Sequence, residues 1–267
     1  MEELLACPVC DSGKIVRVYE FDTGYTDDGG KKIKVYDNEK GFEFRLCVCG
    51  AAYLSPRMID EEQYEYYGSG TYRAQIAEKI SDEREISLQK ARAQVVSQQI
   101  KAFDIRSHLD VGCSTGELLR AVADGKGKKF RSVGVDPDPK WPGEVKVLYK
   151  RIEEVEGKFD LITLIQVLEH LNKPQDMMNK IKDRLSPGGL VVVEVPNRRC
   201  YMTAYDAPKH VVAYDLLSLG RLMVKVGLVV VDFELQDYLH DGPLDMYISM
   251  LATNNKELCD KRCKEVG

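Results

Sequence analysis

The chain has 267 residues, with 38 Lys and Arg against 43 Asp and Glu, a formal net charge of −5. A hydrophobic content of 44% excludes a mainly disordered chain. The apolar run Gly188–Val195 is too short to span a bilayer, so no membrane partner is expected. The N-terminal residues lack the basic start and apolar run of a signal peptide, and we therefore expect a cytoplasmic protein.

Residues 1–55 are predicted to form a small β-rich module. Cys7 and Cys10 form a C-x2-C pair, and Cys47 and Cys49 form a C-x-C pair. Strand-like stretches separated by turn residues lie between the pairs: Ile15–Tyr19, Ile33–Tyr36 and Phe42–Leu46. Because the sequence shows no export signal, we interpret these cysteines as free thiols or metal ligands in preference to disulfides. Four thiolates brought together by hairpins can hold Zn²⁺, which we favour over four unrelated reduced cysteines.

Residues 56–104 are predicted to be a helical linker or lid. The segment Ala74–Phe103 contains no Gly or Pro, and its apolar residues recur at roughly helical spacing. This pattern predicts one long helix, or two that break near Ser81.

Residues 105–255 alternate short apolar runs with amphipathic segments, which is typical of a βαβ sheet, and residues 256–267 form a C-terminal tail. The predicted strands are Leu109–Val111, Ser132–Val135, Val145–Leu148, Phe159–Ile165, Leu190–Val195, Leu228–Leu235 and Met246–Ala252. The predicted helices are Gly116–Ala123, Pro174–Leu185 and Asp215–Val226. We expect the last two strands to pair antiparallel at the end of the sheet.

A glycine turn follows the first of these strands, in Leu109-Asp110-Val111-Gly112-Cys113-Ser114-Thr115-Gly116. Such a turn exposes backbone N–H groups to a ligand. Asp136 ends the next strand, where a carboxylate can accept both hydroxyls of a ribose. The spacing does not match the dinucleotide or triphosphate fingerprints. Asp110 would repel a pyrophosphate but suits an ammonium group, so the pattern favours an amino-acid–nucleoside ligand.

These residues resemble the D-x-G-x-G-x-G motif of class I S-adenosylmethionine-dependent methyltransferases, with Ser114 at the middle glycine. Phe159–Ile162 with Val167–Leu171, and Leu185–Gly189 with the strand that follows, are similar to later motifs of that family. The resemblance implies a Rossmann-like seven-stranded α/β sheet that binds S-adenosylmethionine. It implies a cofactor site made of Tyr72, Asp110, Gly112, Cys113, Gly116, Asp136, Pro137, Ile152 and Gln166.

The resemblance implies that the glycine turn packs against the methionine and ribose portions of the cofactor. Ile152 would lie beside the adenine, and Gln166 would form the pocket floor. The cysteine-bearing segment resembles the N-terminal zinc module of sugar C-methyltransferases. The region of Tyr67 and Tyr72 resembles a segment that closes over the cofactor in the same enzymes.

Four histidines are candidates for a base that removes a proton from the methyl acceptor. We interpret His108 and His240 as structural or solvated. His170, in Gln166-Val167-Leu168-Glu169-His170, resembles part of the metal motif of ubiquinone-pathway O-methyltransferases and small-RNA 2′-O-methyltransferases, but Gln166 replaces a carboxylate. Structural support is the favoured role of His170. His210 resembles the catalytic histidine of the sugar methyltransferases, and a packing role is equally open.

The leading hypothesis is a methyltransferase for a small molecule, a sugar or nucleotide-sugar being one candidate, with His210 as the catalytic base. A nucleic-acid methyltransferase is a less favoured alternative, in which basic residues of the N-terminal segment grip RNA: Lys14, Arg17, Lys31, Lys32 and Lys34. A third hypothesis is a cofactor-binding member of the family that transfers no methyl group. No oligomeric state follows from the sequence.

Overall fold

A computed structural model of the chain describes residues 1–20, 24–28, 31–36, 42–69, 82–127, 129–138, 148–149, 151–199, 209–238 and 246–257. The strands are β1 (Ile15–Glu20), β2 (Gly24–Asp28), β3 (Lys31–Tyr36), β4 (Glu43–Cys47), β5 (Ala52–Ser55), β6 (Ser107–Val111), β7 (Arg131–Val135), β8 (Leu148–Tyr149), β9 (Phe159–Ile165), β10 (Leu185–Pro196), β11 (Val212–Ala213), β12 (Val229–Gln236) and β13 (Tyr247–Thr253). The helices are α1 (Asp60–Gly68), α2 (Asp82–Gln99), α3 (Glu117–Ala123), α4 (Pro174–Arg184) and α5 (Leu216–Lys225), with 3-10 turns at Ile152–Glu154 and Leu168–His170.

The larger of the described sheets has seven strands in the order β12-β13-β10-β9-β6-β7-β8. The five strands from β10 to β8 are parallel, whereas β13 runs antiparallel between β10 and β12. The antiparallel pairing of β12 with β13 at this edge confirms that prediction. Because the strand order reverses between β6 and β9, the crevice at their carboxyl ends is the expected ligand position.

Apolar clusters cover both faces of this sheet, as the continuous apolar runs in β9 and β10 predict. Ile162 and Val193 belong to one buried cluster, which includes residues of α4, α5 and the N-terminal strands. Leu161 and Val192, on the opposite face, pack with α2 and α3. None of the helices within the described ranges is long and apolar enough to cross a membrane.

A second sheet has the order β1-β4-β5-β11, and all of its pairs are antiparallel. Its first three strands come from the N-terminal segment and contain two of the predicted stretches, Ile15–Tyr19 and Phe42–Leu46. Its fourth strand, β11, comes from the segment after β10. The N-terminal strands therefore form one sheet with a strand of the larger domain. The remaining predicted stretch lies in the hairpin of β2 and β3.

Some predicted elements differ in extent from the described ones. The predicted helix Ala74–Phe103 is seen as α2, which ends at Gln99 because the backbone turns at Ile100–Phe103, and residues 70–81 lie outside the described residues. The apolar stretch Val145–Leu148 corresponds to β8, which spans Leu148–Tyr149, and residues 145–147 again lie outside them.

Candidate cofactor and acceptor site

The glycine turn lies at the carboxyl end of β6. Gly112 has a φ of 76°, and a Cβ at this position would lie 2.2 Å from Cγ2 of Val167. The amides of Gly112 and Cys113 donate to the carbonyl of Val135, at 2.7 and 3.1 Å. Ser114, at the position where the family motif has glycine, has a φ of 43°. Ser114 thus adopts a left-handed backbone although it is not glycine. At position 112 a glycine is required, both because φ is positive and because a Cβ would clash with Val167.

The thiol of Cys113 points into the protein. The side chain is buried, and a Cβ at Gly134 in β7 would lie 2.5 Å from its Sγ. The thiol and Leu119 of α3 both lie beside Gly134, so the Cys113 side chain packs against β7. Gly116, with a φ of 74°, ends the turn directly before α3.

Asp136 follows β7 beside the glycine turn. Its Oδ2 accepts a hydrogen bond from the amide of Ser114 at 2.9 Å, and its Oδ1 accepts one from the amide of Asp138 at 3.0 Å. The side chain is 8% exposed. Each carboxylate oxygen has a second lone pair, so the pair of hydroxyls of a ribose can still donate to it. Pro137 lies between the two aspartates in this short segment.

Asp110 lies at the end of a buried chain of three polar side chains. Thr163 Oγ1 donates to Asp110 Oδ1 at 2.6 Å, and His108 Nε2 lies 2.8 Å from the same Thr163 oxygen. Because the threonine proton is used on Asp110, His108 must donate from Nε2. His108 is fully buried, which agrees with the structural half of our interpretation and not with the solvated one.

Burial also sets the protonation states of His108 and Asp110. It lowers the pKa of His108 to about 3, so the imidazole is neutral at physiological pH. Burial, together with the nearby charge of Asp136, raises the pKa of Asp110 to about 7, although the hydrogen bond from Thr163 acts in the opposite direction. Asp110 is therefore a carboxyl group that changes charge near neutral pH, and a bound ammonium would favour its ionised form.

Gln166 is held by a buried ion pair. The backbone amide of Gln166 donates to the backbone carbonyl of Glu194 at 2.9 Å, and its side-chain Nε2 donates to Glu194 Oε1 at 3.2 Å. Arg92 of α2 donates from Nε to the same oxygen at 2.9 Å, and the Tyr238 hydroxyl donates to Oε2 at 2.5 Å. The Arg92 guanidinium lies 5.7 Å from the ring centres of Tyr238 and Tyr247.

Sequence reasoning missed this ion pair. An acid inside the apolar run Leu190–Val195 was a usable signal for Glu194, whereas α2 gave no corresponding signal for Arg92.

Two histidine rings meet edge to face beside the carboxyl ends of β9 and β10. The rings of His170 and His210 lie 4.6 Å apart at 68° to each other. His170 Nδ1 lies 2.8 Å from the Tyr67 hydroxyl and 3.1 Å from the Lys209 carbonyl. Its Nε2 lies 3.9 Å from Glu169 Oε1. His170 is thus held at Nδ1 by the Tyr67 hydroxyl and the Lys209 carbonyl, which suits the supporting role favoured from the sequence.

His210 carries a neutral imidazole that can accept a proton, but its lowered pKa makes it a weaker base than a free histidine. Burial, with a smaller contribution from the charge of Lys209, lowers its pKa to about 4, so the imidazole is neutral at physiological pH. Glu169, His170 and His210 each offer one donor atom within 4.8 Å of the others, so this set could also hold a divalent cation. Gln166, at the position of the first carboxylate in the metal motif, points toward Glu194 instead.

Of the remaining residues discussed from the sequence, Ile152 is described by the structure, whereas Tyr72 and His240 are not. Ile152 is 3% exposed and packs in the same cluster as Val111 and Val135. The structure therefore brings Asp110, Asp136 and the glycine turn together at one edge of the sheet, with the two histidines beside the neighbouring strands.

The four N-terminal cysteines meet in space. Cys7 Sγ lies 3.7 Å from Cys49 Sγ, and Cys10 Sγ lies 3.5 Å from Cys47 Sγ. All four sulfurs lie within 4.8 Å of one another. Zinc–sulfur bonds of about 2.3 Å in a tetrahedron place the sulfurs about 3.8 Å apart, so the observed spacing fits a zinc centre with four thiolate ligands. A hydrogen bond from Cys7 lowers the pKa of Cys49 to about 5.

The strand order, the glycine turn after β6 and the acid after β7 define a Rossmann-like α/β domain of the methyltransferase fold. A family described as Methyltransferase domain matches residues 72–232, which is more than half of the chain. The chain belongs to this family.

Among curated proteins, the chain is similar to the mitochondrial ubiquinone biosynthesis O-methyltransferase of Saccharomyces cerevisiae, with 32% identity over 107 residues, 34% of each chain. It is also similar to the ubiquinone biosynthesis O-methyltransferase of Pseudomonas paraeruginosa, with 28% identity over 127 residues, 42% of this chain and 53% of the relative. The chain thus spans between a third and about half of the length of these relatives.

Two solved structures share the fold. The plantazolicin methyltransferase BamL, solved with a substrate analogue and SAH, gives a TM-score of 0.55 at 13% identity over 72% of this chain and 95% of that one. The 1,6-didemethyltoxoflavin-N1-methyltransferase of Burkholderia thailandensis, solved with its substrate and S-adenosylhomocysteine, gives 0.53 at 16% identity over 82% and 97%.

Proposed function

We propose that the chain is an S-adenosylmethionine-dependent methyltransferase that acts on a small-molecule acceptor. The observation that carries this proposal is the glycine turn with one buried aspartate on each side, Asp110 near the end of β6 and Asp136 directly after β7. Asp136 would accept the ribose hydroxyls, and Asp110 would bind the ammonium group of the methionine portion. Membership of the methyltransferase-domain family supports the same assignment.

His210 would act as the base. S-adenosylmethionine, held by Asp110, Asp136 and the glycine turn, would supply the methyl group and would leave as S-adenosylhomocysteine, while the acceptor would lose a proton. The proton lost by the acceptor hydroxyl or amine passes to the neutral imidazole of His210. His170, held by Tyr67 and the Lys209 carbonyl, would orient the His210 ring from the side.

The names of the curated relatives favour a hydroxyl as the acceptor. The resemblance of the cysteine-bearing segment keeps a sugar or nucleotide-sugar as the second candidate. Either acceptor would bind beside His170 and His210, the residues proposed to act on it.

Calorimetry with S-adenosylhomocysteine tests the cofactor assignment, and we expect binding to the wild-type chain. Methyl transfer to a panel of hydroxyl-bearing small molecules and nucleotide-sugars tests the reaction. His210→Ala should lower methyl transfer about 100-fold or more while leaving S-adenosylhomocysteine affinity within twofold. Full transfer by His210→Ala would refute the base assignment. Binding without transfer to any acceptor would favour the non-catalytic alternative.

We further propose that Cys7, Cys10, Cys47 and Cys49 hold Zn²⁺. The sulfur spacing and the position of the cysteines in two backbone turns support this. Metal analysis should find one zinc per chain, lost in Cys7→Ser. Cys113→Ser is the matched control, since it removes another buried free cysteine outside the cluster and should keep the metal. Zinc-free wild-type protein purified without chelators would contradict the proposal.

A further inference from the structure

The residue that follows His210 links the acceptor side to the cysteine-bearing sheet. The amide of Val211 donates to the Glu169 carbonyl at 2.8 Å, and its carbonyl accepts from the amide of Leu54 in β5 at 2.9 Å. The next residues form β11, in which Val212 pairs with Tyr53 of β5. The backbone beside His210 is therefore held by β5 on one side and by the turn that carries Glu169 on the other.

The cysteine turn leads directly into β5. In this turn, which joins β4 to β5, the amide of Cys47 donates to the Ala51 carbonyl, and the amide of Gly50 donates to the Cys47 carbonyl, both at 2.9 Å. Cys47 and Cys49 are two of the four clustered thiols. A metal that holds these sulfurs would fix the end of the hairpin from which β5 starts.

The same turn is locked onto the start of α5. Gly50 has a φ of 98°, and a Cβ there would lie 2.7 Å from Asp215 Oδ1. Arg198 donates to the Gly50 carbonyl at 2.9 Å and to Asp215 Oδ2 at 3.0 Å. Asp215 also caps α5 by accepting from the amide of Ser218 at 2.9 Å. Gly50 is thus closed in on two sides by side chains of the methyltransferase domain.

From these contacts we infer that the N-terminal sheet is a brace that positions His210, with Gly50, Arg198 and Asp215 as positioning residues. The inference depends on the proposed function, because it gives the cysteine centre a task at the acceptor side. A module that gripped nucleic acid independently would not need to share β11. We expect the brace to act on the acceptor side, since Asp110 lies in β6 and Asp136 follows β7, and β11 pairs with neither of these strands.

Gly50→Ala tests the brace, because its Cβ displaces the Asp215 carboxylate and breaks the contact with Arg198. Gly127→Ala is the matched control. Gly127 also has a positive φ, of 75°, but a Cβ there meets nothing within 4 Å. The readouts are the imidazole NMR signals of His210, assigned with His210→Gln, the exchange rate of the Val211 amide, zinc content and S-adenosylhomocysteine affinity.

In Gly50→Ala we expect a shifted or broadened His210 signal and a Val211 amide that exchanges at least tenfold faster, with S-adenosylhomocysteine affinity within twofold of wild type. Gly127→Ala should match the wild type in each readout. Arg198→Gln, which introduces no backbone strain, should change His210 in the same direction if Gly50→Ala does not fold.

A His210 signal and Val211 exchange rate in Gly50→Ala equal to those of Gly127→Ala would overturn the inference. So would a loss of S-adenosylhomocysteine affinity in parallel with the His210 change, because the effect would then be global. If the wild-type chain binds no S-adenosylhomocysteine, the proposed function fails, whereas the NMR and exchange readouts still decide whether the brace exists.

Discussion

Asp110→Asn separates the charge of the proposed ammonium-binding residue from its shape. In the free protein, burial raises the pKa of Asp110 to about 7. If the ionised carboxylate binds the ammonium group, S-adenosylhomocysteine must select the deprotonated form. Affinity should therefore fall as pH drops below 7, because protons compete with the ligand for the same group.

The size of this effect follows from the pKa. A group with a pKa near 7 is about 90% ionised at pH 8 and about 10% ionised at pH 6. S-adenosylhomocysteine should therefore bind about tenfold more weakly at pH 6, a difference of about 1.4 kcal/mol. The asparagine variant loses a charge-assisted hydrogen bond, and we expect its affinity at pH 8 to fall by about 10- to 100-fold. Its affinity should then be nearly the same at both pH values.

The free protein gives a second readout. An acid whose pKa is raised by folding contributes its full stability below the pKa of the unfolded chain, near 4, and loses it as pH rises through about 7. Asp110→Asn removes this loss and should gain up to about 4 kcal/mol over wild type at pH 8, measured by urea unfolding. A wild-type affinity that does not change with pH, or an asparagine variant with the wild-type pH slope, would refute the assignment.

Two further predictions concern buried polar contacts. Thr163→Val removes the hydroxyl that links His108 to Asp110. Because that hydroxyl lowers the pKa of Asp110, the pH dependence of S-adenosylhomocysteine binding should move to higher pH in this variant. Thr163→Ser keeps a hydroxyl and should retain the wild-type profile. Arg92→Met leaves the buried Glu194 carboxylate without its cation and should lower the free energy of unfolding by about 3–5 kcal/mol. The double variant with Glu194→Gln should recover part of that loss, whereas additive losses would show that the pair does not interact.

The methyltransferase domain was readable from the sequence where the signal is local. Phe159–Ile165 was predicted with its observed bounds, because a strand buried on both faces is apolar at consecutive positions. The glycine turn was readable because Asp110, Gly112 and Gly116 follow a short motif. The contact with Val167 that requires a glycine at position 112 is not visible in the sequence. By contrast, the strand β10 was predicted to begin at Leu190, and the structure begins it at Leu185, with a shift in its pairing with β9 between Leu185 and Leu190.

What the sequence could not give depends on contacts between distant residues. Arg92 and Glu194 pair across 102 positions, and neither α2 nor β10 carries a pattern that selects its partner. β11 has two residues, too few for any periodicity, and it is a strand only because β5 lies beside it. The pairing of Tyr67 with His170 likewise depends on how α1 folds over the 3-10 turn.

The sheet order β1-β4-β5-β11 has a consequence for how the chain is made. During translation the residues of β5 are synthesised long before those of β11, so one edge of β5 is at first without its partner strand. Open edges of this kind invite pairing with other chains. Tyr53 and Leu54, whose side chains end up almost completely buried, are exposed to that risk throughout synthesis of the intervening domain. Completion of the N-terminal sheet therefore waits for translation to pass residue 213, and early release of a shorter chain would leave this edge open to aggregation.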